Sequence, residues 1–215
     1  MILSMEQFGQ YFTGFSSSAT RIETLPFYNV PEEQENYAHF LRGEPLPPDR
    51  NREWADNIRR CVAEGRYMGR VHIIDRYLTP YLQFEMAWYY AVNGPAGEDI
   101  RFIFREDVPD LTYTDTWLFD DHVVLDLAYD QEGRLLYVNR NDDPRRLDEA
   151  LRAWAEFHRR SFPLRELVAA LRNSPVAVPG PAPGPASGPG SDPGADAVPD
   201  ARDGHASTRA PSAGG

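Results

Sequence analysis

RVHIIDRYLTPYLQFEMAWYYAVNGPAGEDIRFIF, residues 70–104, is the stretch whose reading decides the architecture. Arg70–Asp75 carries β-branched residues on both faces, as a strand covered on both sides must. Thr79-Pro80 is a helix start: a hydroxyl caps it, and proline stands where no backbone N–H is needed. The following twelve residues, 81–92, are aromatic enough for a strand. Their length and the Asn93-Gly94-Pro95 breaker after them predict a helix ending at that triplet. Arg101–Phe104 reads as a second interior strand.

Working outward, Ser4 and Gln7 form a capping box before Met5, Phe8, Phe12 and Phe15, which predicts a first helix. Arg21–Leu25 reads as a short strand, and Pro31 with glutamates 32, 33 and 35 opens a helix stopped near Gly43. Asp49 caps a helix whose Trp54, Ile58, Cys61 and Val62 share a face and which Gly65 ends. Thr116–Phe119 and His122–Tyr129 are strands, and a DQEG turn at 130–133 joins the second to Leu135–Asn139. Asp143-Pro144 opens a long helix with Leu147, Leu151, Trp154 and Phe157 on one stripe, and a short helix spans Leu164 to Leu171. This order predicts an α/β or α+β fold, a mixed β-sheet covered by helices.

Residues 173–215 hold 9 Pro and 8 Gly and almost no large apolar side chain. Such a segment cannot bury enough surface to offset its chain entropy, so a disordered tail is expected beyond a single globular domain at 1–172. Truncation after Arg172 should leave the melting temperature within about 2 °C, because even about 1 kcal/mol of lost contact shifts a domain of this size by roughly 2–4 °C. A calorimetric scan showing a larger drop would mean that the tail packs on the body.

Every one of the 22 basic residues is arginine. Schiff-base lysine chemistry, a phosphate-loop lysine and the His-x-Lys pair are thereby excluded. Net charge is −11, and residues 1–139 alone carry −11 from 12 Arg against 23 Asp and Glu. An acidic body repels DNA and anionic membrane, so neither is expected as a direct partner. A single cysteine, Cys61, permits no intrachain disulfide, and MILSMEQFGQYF lacks the features of a secretory signal. A cytoplasmic protein is expected, and no cofactor is implied.

Candidate chemistry is sparse. Asp120, Asp121, His122 and Asp126 crowd one segment, but the doublet falls between two strands, where aspartates serve turns. Glu85 stands among Tyr81, Trp88 and Tyr89 on its helix. A carboxylate there is either paired with arginine, Arg70 or Arg101 being at hand, or kept for a ligand, and the paired reading is preferred. His39, His72 and His158 show no metal spacing. Trp54, Trp88, Trp117 and Trp154 fall on apolar faces and read as core anchors.

RIETL at 21–25, FLRGEPLP at 40–47, Arg52-x-Trp54, TPYLQFE at 79–85, AGEDIRF at 97–103 and WLFDD at 117–121 resemble, in this order, an actinobacterial family of uncharacterised proteins, domain of unknown function 6879. The likeness runs from about Phe8 to Trp154. It implies regulatory or accessory work beside helix-turn-helix regulators of an antitoxin-like kind, and it assigns no catalytic residue. The polar positions in matching blocks, Arg21, Glu23, Glu85, Glu98, Asp99, Asp120 and Asp121, are the candidates for a functional surface. The strand–helix–strand with the WLFDD strands also looks like half of a phospholipase D-type fold, without the His-x-Lys signature of its enzymes.

Three functions compete. The preferred one is a non-enzymatic regulatory protein acting with a helix-turn-helix DNA-binding partner. A second is a small-ligand sensor with a pocket around Glu85, which would show aromatic walls and a charged anchor. A third is a metal-dependent hydrolase using Asp120, Asp121 and Glu85, which would bring those carboxylates together.

Overall fold

The capping box closes as expected: Ser4 Oγ accepts the Gln7 amide at 3.1 Å, and Gln7 Oε1 accepts the Ser4 amide at 2.9 Å. The computed structural model describes residues 1–45, 47, 51–111 and 113–172. The expected tail and the Asp49 cap lie outside the described residues. In chain order the elements are β1 (Ile2–Leu3), α1 (Met5–Gly14), β2 (Ser18–Glu23), α2 (Gln34–Leu41) and α3 (Arg52–Ala63). Then come β3 (Tyr67–Ile74), α4 (Pro80–Glu85), α5 (Ala91–Ala96), β4 (Asp99–Phe104), β5 (Thr116–Phe119), β6 (Val123–Tyr129) and β7 (Leu135–Asn141). The last are α6 (Pro144–Arg160), β8 (Phe162–Pro163) and α7 (Leu167–Arg172).

All eight strands join one mixed sheet in the order β1-β7-β6-β5-β2-β3-β4-β8. Strands β2, β3 and β4 run parallel, and the remaining neighbours are antiparallel. The decisive stretch therefore forms a parallel crossover, β3 to β4 through α4 and α5. Every residue from Met68 to Ile74 is buried, the burial on both faces that the sequence called for.

Alternation along the strands sorts side chains onto two faces. Ile22, Val71, Ile73 and Ile103 pack with Ala153 and Phe157 of α6. The opposite face meets α1 and α3 through Ala19, Met68, Trp117 and Leu125, packed with Phe8, Phe12, Ala55 and Ile58. Further along that face, Ile74, Ile100, Phe102 and Phe104 pack with Tyr81, Leu82, Phe84 and Trp88.

Several expectations are corrected. The helix after Thr79 does not stop at Asn93-Gly94-Pro95. It runs to Ala96 and ends at Gly97 with φ +115°, a conformation glycine adopts without strain. Between α4 and α5 it widens into a π turn, Met86–Tyr90. Strand β4 begins at Asp99, two residues earlier than predicted, and β1 and β8 are strands too short for periodicity to reveal. On α6 the fully buried residues are Ala150, Ala153 and Phe157, while Leu147 and Trp154 are only partly buried. Trp88 and Trp117 are core residues, but Trp54 and Trp154 are not fully enclosed. Indole removal at the latter two should accordingly cost less than the roughly 3–5 kcal/mol of a fully buried tryptophan.

Candidate functional site

Strand parity builds the site. Arg21 and Glu23 lie two apart on β2, Arg70 and His72 two apart on β3, and the register sets Arg21 opposite Arg70 and Glu23 opposite His72. All four side chains therefore project from one patch of one face, beneath α4 and the π turn. All four are buried, and Arg70 and His72 have no exposure.

Glu23 is the hub. Its carboxylate meets Arg21 Nε at 3.1 Å, accepts from Arg70 Nη1 at 3.0 Å and accepts from the Tyr90 hydroxyl at 3.2 Å. Burial alone would raise its pKa. The two guanidiniums overcome that and bring it down to about 2. Arg70 also donates to Glu98 Oε1 at 2.8 Å and lies over the Tyr90 ring. Arg21 stacks over Tyr28 and Trp117, 5.4 and 5.5 Å from their ring centres. His72 Nε2 lies 3.0 Å from the Leu25 carbonyl, and burial lowers the ring's pKa, which favours the neutral form donating that hydrogen bond.

The π turn explains how Glu85 and Tyr90 both reach this patch. Five residues along a regular α-helix turn the side chain by roughly 140° from the starting direction. An i to i+5 turn largely restores the direction, and such turns recur at functional sites. Glu85 Oε2 lies 3.9 Å from His72 Nδ1.

Unlike Glu23, Glu85 is not held by arginine. Arg70 is taken by Glu23 and Glu98, and Arg101 donates to Ser161 from the other face. Glu85 is 4 % exposed, and among the described residues its Oε2 has no hydrogen-bond partner. Burial first, then the charges of Glu23 and Glu33, push its pKa well up and favour its protonated form. The preferred reading of a Glu85–arginine pair is thus corrected.

Glu85 faces a cavity of about 380 Å³. Its walls include Phe8, Phe12, Trp54, Trp117, Leu127 and Leu135 on the α1 and α3 side, and Tyr28, Tyr81 and Tyr129 nearer the charged patch. Arg21, Glu23, Glu33 and Glu85 supply the inner polar groups, while Glu32 and Arg134 also line it. Tyr81 donates to Glu33 Oε2 at 3.1 Å. Tyr28 donates to the buried Asp115, whose other oxygen accepts from Thr24.

The remaining candidates lie elsewhere. Asp99 faces away, accepting from Tyr67 at 2.8 Å with His158 Nε2 at 3.0 Å. Asp120 and Asp121 form the β5–β6 turn with φ values of 55° and 58°, the turn role preferred for them. The Asp120 carboxylate accepts the amides of Ser16, Ser17 and Ser18 at 2.6–3.0 Å. Those amides outweigh burial and lower its pKa to about 2. Asp120 sits at the Ser18 end of β2 and Glu85 near Glu23, five residues on, roughly 16 Å along a strand. Among the described residues no group of three or more His, Cys, Asp or Glu is placed to hold a metal ion.

Asp120→Asn tolerates the left-handed backbone and removes the charge. It should cost about 1–3 kcal/mol at pH 7 in urea unfolding, as for hydrogen bonds to an ionised acceptor. A lowered pKa stabilises above the unfolded value and is lost as pH falls through about 2, so the deficit should shrink in acid. A pH-independent deficit would assign it to shape alone.

Sequence reasoning passed over His72, Tyr28, Tyr90, Tyr129 and Asp115. A signal was present for the first: polar residues at i and i+2 inside otherwise apolar strands, in SATRIE and GRVHII, must share a face.

The family model described as Domain of unknown function (DUF6879) matches residues 6–169. The chain belongs to this family. No functionally curated protein matches it. Among solved structures, a phospholipase D family member, Nuc from Salmonella typhimurium, is similar with a TM-score of 0.44 and 8 % identity, over 73 % of this chain and 90 % of that one. At that level no residue role passes between the two. No helix among the described residues is long and apolar enough to cross a membrane.

Proposed function

We propose that this family domain is a small-ligand-binding module with a regulatory role. The observation that carries the reading is the cavity of about 380 Å³, walled by aromatic rings and holding a buried carboxyl whose Oε2 lacks a hydrogen-bond partner among the described residues. Ligand sites are mostly apolar hollows of roughly 300–1,000 Å³ with a few placed polar groups, and this one fits. An unpaired buried carboxyl costs free energy that folding alone has no reason to retain. Occupancy would be read out by a helix-turn-helix partner, since the acidic body of this chain is unsuited to bind DNA itself. A cytoplasmic setting accords with one free, buried thiol. The separation of Asp120 and Asp121 from Glu85 speaks against the hydrolase reading.

A neutral aromatic fragment, 2-phenylethanol, tests the pocket by NMR. Shift changes should centre on Trp54, Trp117 and Leu127 and vanish in Leu135→Trp, which fills the hollow from its partly buried wall. Shifts scattered over the surface, or unaffected by Leu135→Trp, would refute the reading.

A further inference from the structure

Which ligand the cavity takes is written in the charges around it. Four carboxylates line it, those of Glu23, Glu32, Glu33 and Glu85, against the guanidiniums of Arg21 and Arg134. Neither guanidinium offers a buried anion an uncompensated charge. Arg21 is offset by Glu23 at 3.1 Å and lies over the rings of Tyr28 and Trp117, although its Nε makes no hydrogen bond among the described residues. Arg134 has a side chain 60 % exposed, which places its charge in solvent at the rim. An anionic group entering the polar end would meet the Glu33 carboxylate and would further oppose ionisation of Glu85, with neither lining guanidinium free to offset it. A cation there would meet the Glu85 carboxyl, whose Oε2 is unpaired among the described residues, and a lining of aromatic rings, whose quadrupoles attract positive charge.

We propose that the ligand is a small organic cation, an ammonium or amidinium head on an apolar body, with its charge against Glu85 and its body among Phe8, Phe12 and Trp54; this rests on the pocket reading above. The apolar half is sized for such a body. Phe12 packs edge-on to Trp54 and Trp117 at 5.3 and 4.9 Å, forming an aromatic wall whose polar groups are the two buried indole N–H donors, unpaired among the described residues.

Binding is coupled to a proton. Burial and the charges of Glu23 and Glu33 favour the protonated form of Glu85, with Arg70 and Arg21 acting in the opposite direction. His72 of β3 is neutral, and Tyr81 and Tyr90 of its own helix carry raised pKa values, so neither supplies charge at neutral pH. An arriving ammonium stabilises the ionised carboxyl, so the proton leaves Glu85 for solvent as the ion pair forms. Affinity for a permanently charged ligand therefore rises with pH.

The test is calorimetry on the full chain with three probes of one skeleton, 2-phenylethylamine (cationic at pH 7), 2-phenylethanol and phenylacetate. The amine should bind about tenfold or more tighter than the alcohol, with phenylacetate weakest, as expected for a charge-assisted contact. Glu85→Gln should remove about tenfold from the amine and leave the alcohol unchanged. Should that variant not fold, the three-probe ranking on the unsubstituted protein still decides. Equal binding of amine and alcohol, or preference for phenylacetate, overturns the cationic class while the pocket stands. Failure of all three at millimolar concentration overturns the pocket reading and this inference together.

Discussion

Arg70→Met is expected to lower the unfolding free energy by about 3–5 kcal/mol, the loss typical of breaking a buried ion pair from one side. The side chain has no exposure, and its guanidinium serves two carboxylates at once, Glu23 at 3.0 Å and Glu98 at 2.8 Å. Methionine matches the length of the stem, so little cavity is left. The loss arises from two buried acids deprived of their cation. Urea unfolding at pH 7 measures it, and a loss below about 1 kcal/mol, ordinary for a surface change, would show that Arg70 is dispensable to the fold.

The second large effect is a contrast between two glutamates on one patch. Glu23→Gln should destabilise by about 3–5 kcal/mol, because it strands Arg21 in the interior and leaves Arg70 with Glu98 alone. The same change at Glu85 should leave stability within about 1 kcal/mol of the parent at pH 5 and raise it at pH 8. The signs follow from the two shifts. Glu23, lowered to about 2, contributes stability above the unfolded carboxylate pKa that is lost only as pH falls through about 2. Glu85 is raised, so its contribution is full below the unfolded pKa and is lost as pH rises towards its folded value. The benefit of Glu85→Gln therefore grows with pH. A Glu85→Gln variant as damaged as Glu23→Gln would return Glu85 to a structural role and remove the chief support for a ligand site.

Local signals were read well wherever a short-range interaction decides the outcome. The Ser4 box, the Thr79 cap donating order to the start of α4, and the Asp143 cap of α6 each depend on atoms within three residues. The β6–β7 turn is of the same kind, with Gly133 at φ +74°. Signals failed where the deciding partner is distant in sequence. Strand β1 exists because Ile2 and Leu3 pair with Asn139 and Val138, and two residues cannot announce that themselves. Pro95 did not end its helix, because a proline near the last turn gives up one backbone bond without breaking the packing of the turns before it.

What the sequence by itself determined is the layered α/β architecture and the chemistry excluded by an absence of lysine; its family blocks also named four residues that gather in the candidate site, Arg21, Glu23, Glu85 and Glu98. What only the tertiary structure decided is how those charges divide. On the sequence, Glu23 and Glu85 were equivalent acids with arginines nearby. The β2–β3 register placed Arg21 and Arg70 beside Glu23, and the end of α4 carries Glu85 to the same patch at the edge of a hollow, without an ion pair to arginine among the described residues. A charge-assisted hydrogen bond needs contact at about 3 Å whereas desolvation needs no partner at all, so a displacement of one side chain's length separates a structural carboxylate from one left open to a ligand.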